Sequence, residues 1–521
     1  MPNSQNARLD FWKEVAHYLG RTVRAVRRWE KLKSLPRAAL SIQELPSVIV
    51  QLFERAPQPL LPGVQGQLGL FVRYLRRKPG RGLAVICNAG ALNAPRGTRG
   101  SAPERWVSVT LGEGALAGTQ IRFAARQAKE AALEVQPPGI LQFADLGLLV
   151  QAFPADNGLP ALAASCTTTP DGPLCSALEA AARVQLCDPA WHLVSANAEP
   201  VRYKPSSRCV IRYSLLLERA MTEGAAQRHL ALFGKVYSDP EQARTIQAEM
   251  QQLYTEQAEA GQPILPRPLG AVEMLGLTLN EAVQSPEGTE PGTLRTGSCA
   301  FQPRLVRGVG GEILDVVIPG EELRITANAL ARLHTSAVRP AGAPRTGAKE
   351  AERARERAAQ IAAHSPGQAE ATQRLAEQLA TRLEALQPDT YRPAHGGFKA
   401  SQLLFHSHQV FVVDFDHFCL ADPALDVGYF LAYLRPSGLW HHRPGMRGWF
   451  EGSAASFINA YRQALRERSI DEATIDGILQ RTRLYEAALL FKIATRRVNR
   501  LNSRRPGELS AMLTEIAACL R

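Results

Sequence analysis

The sequence predicts an α+β protein with a small all-α head, two copies of a strand-rich module and a helical C-terminal half. Three observations predict it. An internal repeat aligns Arg76-Arg-Lys-Pro-Gly-Arg-Gly-Leu-Ala-Val-Ile86 with Arg202-Tyr-Lys-Pro-Ser-Ser-Arg-Cys-Val-Ile-Arg212. Beyond residue 320, apolar residues recur at helical spacing among Ala, Arg and Glu. The first forty residues hold two short amphipathic stretches separated by Gly20.

In the head, Asp10 caps a helix from Phe11 to Leu19 and Gly20 ends it. Thr22 caps a second helix, in which Val23, Val26 and Trp29 share a face, and Pro36 closes it. Two short helices around a tight turn have helix-turn-helix geometry. From Arg8 to Arg37 there are nine basic and three acidic residues, half the net charge of +12. Arg24, Arg27, Arg28 and Lys31 stand on the second helix, where phosphates and base edges can be met. The run from Glu14 through Lys31 resembles the opening of MerR-like helix-turn-helix domains, which implies DNA as a partner of residues 1–45. The alternative is a basic helical hairpin that docks on the next domain.

A helix from Ile42 to Glu54 and a Pro-rich linker, Pro57 to Pro62, lead into the repeat. Each copy reads as strand, turn, strand. A third strand follows, Trp106–Thr110 or Leu232–Tyr237, then a helical stretch, about 117–134 or 240–258. A strand pair completes each copy, Ile140 to Phe153 and Leu265 to Val283. Residues 65–165 and 195–295 are therefore expected to be two versions of one module.

The helical half, 320–510, is expected to hold helices at 325–334, 350–363, 369–386, 449–467, 471–480 and 482–500. The charged faces of the second and third read as solvated surface. At 521 residues the chain exceeds one ordinary core. With 45% hydrophobic and 21% charged residues it reads as soluble, and no apolar run reaches the ~18 residues of a membrane helix. The polar N-terminus lacks the apolar stretch of a secretory signal, so a cytoplasmic protein with no membrane partner is expected. Eight scattered cysteines, none in a CxxC pair, argue against a zinc knuckle and read as reduced thiols. The basic balance favours anionic partners and opposes a polycationic substrate.

The segment that carries chemistry is 395–426. It reads His395-Gly-Gly397-Phe-Lys399-Ala-Ser-Gln402, then Val412-Val-Asp414-Phe-Asp416, then Ala421-Asp422-Pro-Ala-Leu-Asp426. A loop leads through two apolar strands to carboxylates, and a buried strand ending in Asp suits a metal ligand facing nucleotide phosphates. These motifs resemble HGD-x-x-x-x-N, DFD and GDP-x-x-D of the aminoglycoside phosphotransferase and choline kinase family. The resemblance covers roughly 65–505 and implies a protein-kinase-like bilobal fold, with the duplicated modules as N-lobe material and 320–510 as the helical C-lobe. It implies ATP and Mg²⁺ as cofactors and an unnamed small-molecule acceptor.

Residue by residue, the resemblance implies Asp414 and Gln402 as metal ligands, Gln402 being one methylene longer than the family's Asn. It implies Lys235 on the α/β-phosphates, with Glu249 orienting it and Glu241 as runner-up. Ser206, Ser207 and Arg208 stand at the turn that would cover the phosphates. Asp422 and Asp426 take structural roles and His395 braces the loop. In the first module Ser108 matches Lys235, so that copy lacks the phosphate-binding amine. The departure is Gly397, where the family has the catalytic Asp. Lys399, Asp416 and His417 are the nearby candidates to replace it, none at the matching position. Three readings follow: an ATP-dependent small-molecule phosphotransferase, a pseudokinase that senses a ligand and regulates through the DNA-binding head, or an interaction scaffold with a vestigial site.

Overall fold

The computed structural model describes residues 68–78, 82–91, 106–111, 140–143, 148–170, 172–220, 224–283, 294–309, 311–388, 390–501 and 508–521. The head with Arg24, Arg27, Arg28 and Lys31, the expected helix from Ile42, and the expected helical stretch at 117–134 lie outside the described residues. The chain divides into two compact units, Met1–Asn157 with Thr495–Leu509, and Gly158–Ala494 with Ser510–Arg521.

The first unit holds an antiparallel sheet of β1 (Leu68–Lys78), β2 (Gly82–Ala91), β3 (Trp106–Leu111), β4 (Ile140–Phe143) and β5 (Leu148–Ala152), in the order β1-β2-β3-β5-β4. Alternation fixes its buried face: Leu83, Val85, Cys87 and Ala89 of β2 are buried every second residue. Cross-strand rows extend that face, Val85 opposite Val109 and Val109 opposite Val150.

In the second unit a short helix, Leu162–Ser165, precedes helix α1 (Pro173–Leu186), which starts with Pro at its first turn and ends at Cys187 in a left-handed conformation. A second antiparallel sheet follows, of β6 (His192–Lys204), β7 (Arg208–Ala220), β8 (Ala225–Tyr237), β9 (Pro268–Val272) and β10 (Leu277–Glu281). Its order, β6-β7-β8-β10-β9, repeats that of the first sheet. Along β7, Cys209, Ile211, Tyr213, Leu215 and Leu217 are buried in strict alternation. Helix α2 (Pro240–Glu259) lies between β8 and β9 in the chain. Asp239 caps it by accepting from the Glu241 N–H, and Ala243, Ile246, Met250 and Leu253 form its buried stripe.

The remainder is mostly helical. After the short strand β11 (Arg295–Thr296) and the hairpin β12 (Arg304–Arg307) with β13 (Ile313–Val317) come α3 (Gly320–His334), α4 (Gly347–His364) and α5 (Ala369–Glu384). On the outer faces of α4 and α5, Arg355 meets Glu377 at 2.7 Å. Four short strands then frame the loop of interest: β14 (Arg392–Ala394), β15 (Leu403–His406), β16 (Gln409–Val412) and β17 (Cys419–Ala421). Helix α6 (Ala424–Leu434) is apolar on nearly every side and correspondingly buried. Helices α7 (Met446–Arg466), α8 (Glu472–Asn499) and α9 (Leu509–Cys519) follow. The sequence suggests two helices where α8 is one, because Gln480-Arg481-Thr482 contains no breaker. The Thr482 hydroxyl donates to the Ile478 carbonyl at 3.0 Å without interrupting the helix. Among the described residues no helix is long and apolar enough to cross a membrane.

Candidate functional site

Strand period places Lys235 and Tyr237 of β8 on one side of the second sheet. The tight turn between β6 and β7 sets Arg208 opposite Tyr237. Ser206 in that turn has a left-handed backbone, φ 54°, and Gly158 approaches it so closely that a Cβ there would stand 2.6 Å from the Ser206 Cα. From the helical side, the β15–β16 hairpin pairs Leu403 with Val412, and the Val413 N–H donates to the Gln402 carbonyl at 2.9 Å. That hairpin delivers Asp414 in a left-handed backbone with φ 74°, a conformation rare outside glycine and frequent at functional sites.

These elements converge on two carboxylates. The Lys235 ammonium donates to Asp414 Oδ1 at 2.5 Å and also to Asp416. Arg208 is paired with Asp416 and stands 3.5 Å from Asp414. The Tyr237 hydroxyl donates to Asp416 at 3.0 Å, and Gln402 Nε2 donates to Asp414 Oδ2 at 3.1 Å. Burial disfavours charge on Asp414, but the charges of Lys235 and Arg208 outweigh it and hold the carboxyl well below its usual range.

The other end of the Gln402 amide is the informative one. Its Oε1 is buried and has no hydrogen-bond partner. A buried carbonyl oxygen left without a donor is costly, unless a ligand supplies one. Two carboxylates and an unpartnered amide oxygen are the hard oxygen donors that Mg²⁺ takes. Among the described residues no group of three or more His, Cys, Asp and Glu forms a metal site. A cation held here would therefore complete its shell with ligand oxygens, as Mg²⁺ does on phosphates.

The loop bearing Gly397 lies between β14 and the hairpin. Gly396 has φ 70°, and a Cβ there would meet the His417 carbonyl oxygen at 2.1 Å, so only glycine fits. Asp426, fully buried at the start of α6, accepts from the His395 N–H at 2.6 Å and the Phe398 N–H at 3.4 Å. His334 of α3 reaches the same carboxylate at 3.5 Å and contacts the Tyr461 hydroxyl at 2.6 Å. His395 is fully buried, with Nε2 3.1 Å from the Val413 carbonyl, and burial lowers its basicity. Its Nε2 thus carries the proton and donates, so the unpartnered Nδ1 is a lone pair. Arg345 clamps the loop, donating to the Gly396 carbonyl at 2.7 Å and to Glu350 at 2.8 Å. Asp422 accepts from the Ala424 N–H at 3.1 Å and from Arg481 of α8 at 2.6 and 3.2 Å.

Lys235, Arg208, Asp414 and Gln402 are thus brought together, with Ser206 and Ser207 at the adjoining turn. Asp422 and Asp426 hold structure, and His395 braces the loop rather than facing solvent. Glu249 is not the partner of Lys235: its carboxylate accepts from the Ala341 N–H at 2.6 Å, while Glu241 pairs with Arg244 on the surface. Asp416 takes the place expected for Glu249. Lys399 lies over the Tyr433 ring at 5.6 Å. Counting from the hairpin turns, Lys78 opposite Gly82 and Lys204 opposite Arg208, the residue of the first sheet equivalent to Lys235 is Thr110, not Ser108. Gly82 then stands where the second sheet has Arg208, so the first sheet has neither cation. Tyr237 was legible as the same-face neighbour of Lys235. Arg345 and His334 were not, because no local motif announces them.

At position 397 itself there is room. A Cβ would meet only His417 Cδ2 at 3.8 Å and His395 Nδ1 at 3.9 Å, both ordinary contacts.

No curated protein matches the sequence. Among solved structures, a glucosamine kinase is 17% identical, with 90% of this chain and 96% of that one covered and a TM-score of 0.38. A choline/ethanolamine kinase family protein from Mesorhizobium loti is 12% identical, covering 62% and 88%, TM-score 0.37. The choline kinase LicA from Streptococcus pneumoniae is 11% identical, covering 63% and 93%, TM-score 0.36. Just under half of the chain, residues 224–474 with Lys235, Gly397 and Asp414 inside, matches the phosphotransferase enzyme family.

Proposed function

We propose that the second unit binds a nucleoside triphosphate with Mg²⁺ and transfers its terminal phosphoryl group to a small molecule, as part of a protein-kinase-like fold. In this reading residues 65–165 and 195–295 are N-lobe modules and 320–510 the C-lobe. The observation that carries it is the convergence of Lys235, Arg208, Asp414 and the unpartnered Gln402 oxygen on one point.

Lys235 and Arg208, which pair with Asp414 and Asp416, are the cations that neutralise the phosphates. Asp414 and Gln402, with Asp416 beside them, are the groups that would hold the metal. Bound there, Mg²⁺ would neutralise charge on the phosphate oxygens. The turn at Ser206 and Ser207 covers the phosphates in place of a glycine-rich loop, which the sequence lacks. Positioning and charge neutralisation supply most of the catalysis in phosphoryl transfer, so the reaction does not require a carboxylate at 397. Mg-ATP is expected to raise the melting temperature, and Asp414→Ala to remove the rise. No rise at millimolar Mg-ATP refutes nucleotide binding.

One observation favours a second reading, a pseudokinase that senses its ligand and acts through the N-terminal helix-turn-helix: Gly397 provides no acid. Retention of promoter DNA by the full chain tests it. Loss of retention in an Arg24/Arg27/Arg28/Lys31→Ala variant, with steep salt dependence, supports it, and equal, salt-insensitive retention refutes it.

A further inference from the structure

The phosphoryl acceptor can be classed by charge. We propose that it is a small hydroxy acid whose own carboxylate occupies the space left by Gly397. The inference rests on the phosphotransfer reading.

Four observations carry it. The position is reachable, since Gly397 is half-buried and His417 beside it is exposed. A side-chain carbon there would meet nothing closer than 3.8 Å, so the backbone leaves space beside it. His395 Nδ1, buried and without a hydrogen-bond partner, lies 3.9 Å from where that carbon would stand. Cations stand beside it, while Asp426 under the loop is taken up by the His395 and Phe398 N–H groups. Arg345 is fixed against the Gly396 carbonyl, and Arg345 and Lys492 lie against the Tyr429 ring at 5.3 and 5.5 Å. The acid countering Arg345 is Glu350, which Arg353 and Arg357 share at 2.5 and 3.9 Å. An ammonium-bearing acceptor meets repulsion here, whereas a carboxylate replaces the missing charge.

The step balances. The acceptor hydroxyl oxygen forms a bond to the terminal phosphorus as the bond to the bridging oxygen breaks, and the nucleoside diphosphate leaves with that electron pair. The hydroxyl proton passes to the acceptor's own carboxylate and leaves with the phosphorylated product, which releases it to solvent.

The test compares matched acceptors on the full chain with Mg-ATP: glycerate and malate against glycerol, and against ethanolamine and choline. Diphosphate release and the melting temperature with a non-hydrolysable triphosphate are both read. The hydroxy acids are expected to give at least about tenfold more turnover than the neutral and cationic compounds, equivalent to one good charge contact. They are also expected to raise the melting temperature of the nucleotide complex. Gly397→Asp should abolish that rise and move activity to the neutral acceptors, and Lys492→Gln should weaken the hydroxy-acid response. A nucleotide shift without any hydroxy-acid shift or preference overturns this inference and leaves the phosphotransfer reading standing. Absence of the nucleotide shift removes both.

Discussion

At the scale of single residues, charge is concentrated where backbone must be held. Glu350 is fully buried and faces Arg345, Arg353 and Arg357. Burial works against its charge, but the arginines prevail and draw its carboxyl down to about 2. The folded value lies below the unfolded one, so this stabilisation is complete above the unfolded pKa of 4.5 and is lost as pH falls towards 2. The shift corresponds to about 3 kcal/mol. Glu350→Gln should therefore flatten the acid limb of stability between these values, measured by denaturant titration against wild type. An unchanged slope would show that the arginines do not depend on it. Gly397 makes the opposite prediction. Restoring the acid with Gly397→Asp should raise turnover of neutral hydroxyl acceptors by about 10²–10⁴-fold, the usual worth of a general base. A variant no faster than wild type on any neutral acceptor would show that the missing carboxylate is not what limits the site.

At the scale of elements, Asp422, fully buried, and Arg481, partly exposed, join the start of α6 to α8 through two hydrogen bonds. Asp422→Ala removes this pairing and should cost about 2–3 kcal/mol in stability, read from the shift of the urea midpoint. A loss under about 1 kcal/mol would place that junction elsewhere. Elements that follow local rules were legible in the sequence. The repeat announced the strands, their alternation fixed the buried face, and Asp239-Pro240 marked the start of α2. The Asp414 strand end was readable for the same reason, an apolar run closing on a carboxylate. What depended on non-local pairing was not. Glu249 stands on the helix after Lys235, but α2 carries it to Ala341, and Asp416, two residues beyond Asp414, reaches the amine instead. The equivalence of Lys235 with Thr110 rather than Ser108 is set by hairpin register, which an ungapped comparison of strands does not see. The expected helices at 471–480 and 482–500 are one, Glu472–Asn499, since no proline or turn residue stands between them.

At the scale of the whole molecule, two sheets share one strand order while only the second carries Lys235 and Arg208. In the reading proposed above, the second copy binds phosphate while the first keeps only the architecture. The second unit ties its sheet to the helical segment through the Lys235, Arg208 and Asp414 cluster. The central claim is that these residues form one phosphate-metal site. Calorimetric titration of the full chain with ATP in the presence of Mg²⁺ tests it most directly, using wild type, Lys235→Ala, Asp414→Ala and the double variant. The account predicts saturable binding by wild type and at least about tenfold weakening in each single variant. It also predicts a double variant little weaker than the worse single one, because the two groups act together. No saturable heat in wild type, or wild-type affinity in Asp414→Ala, would contradict it.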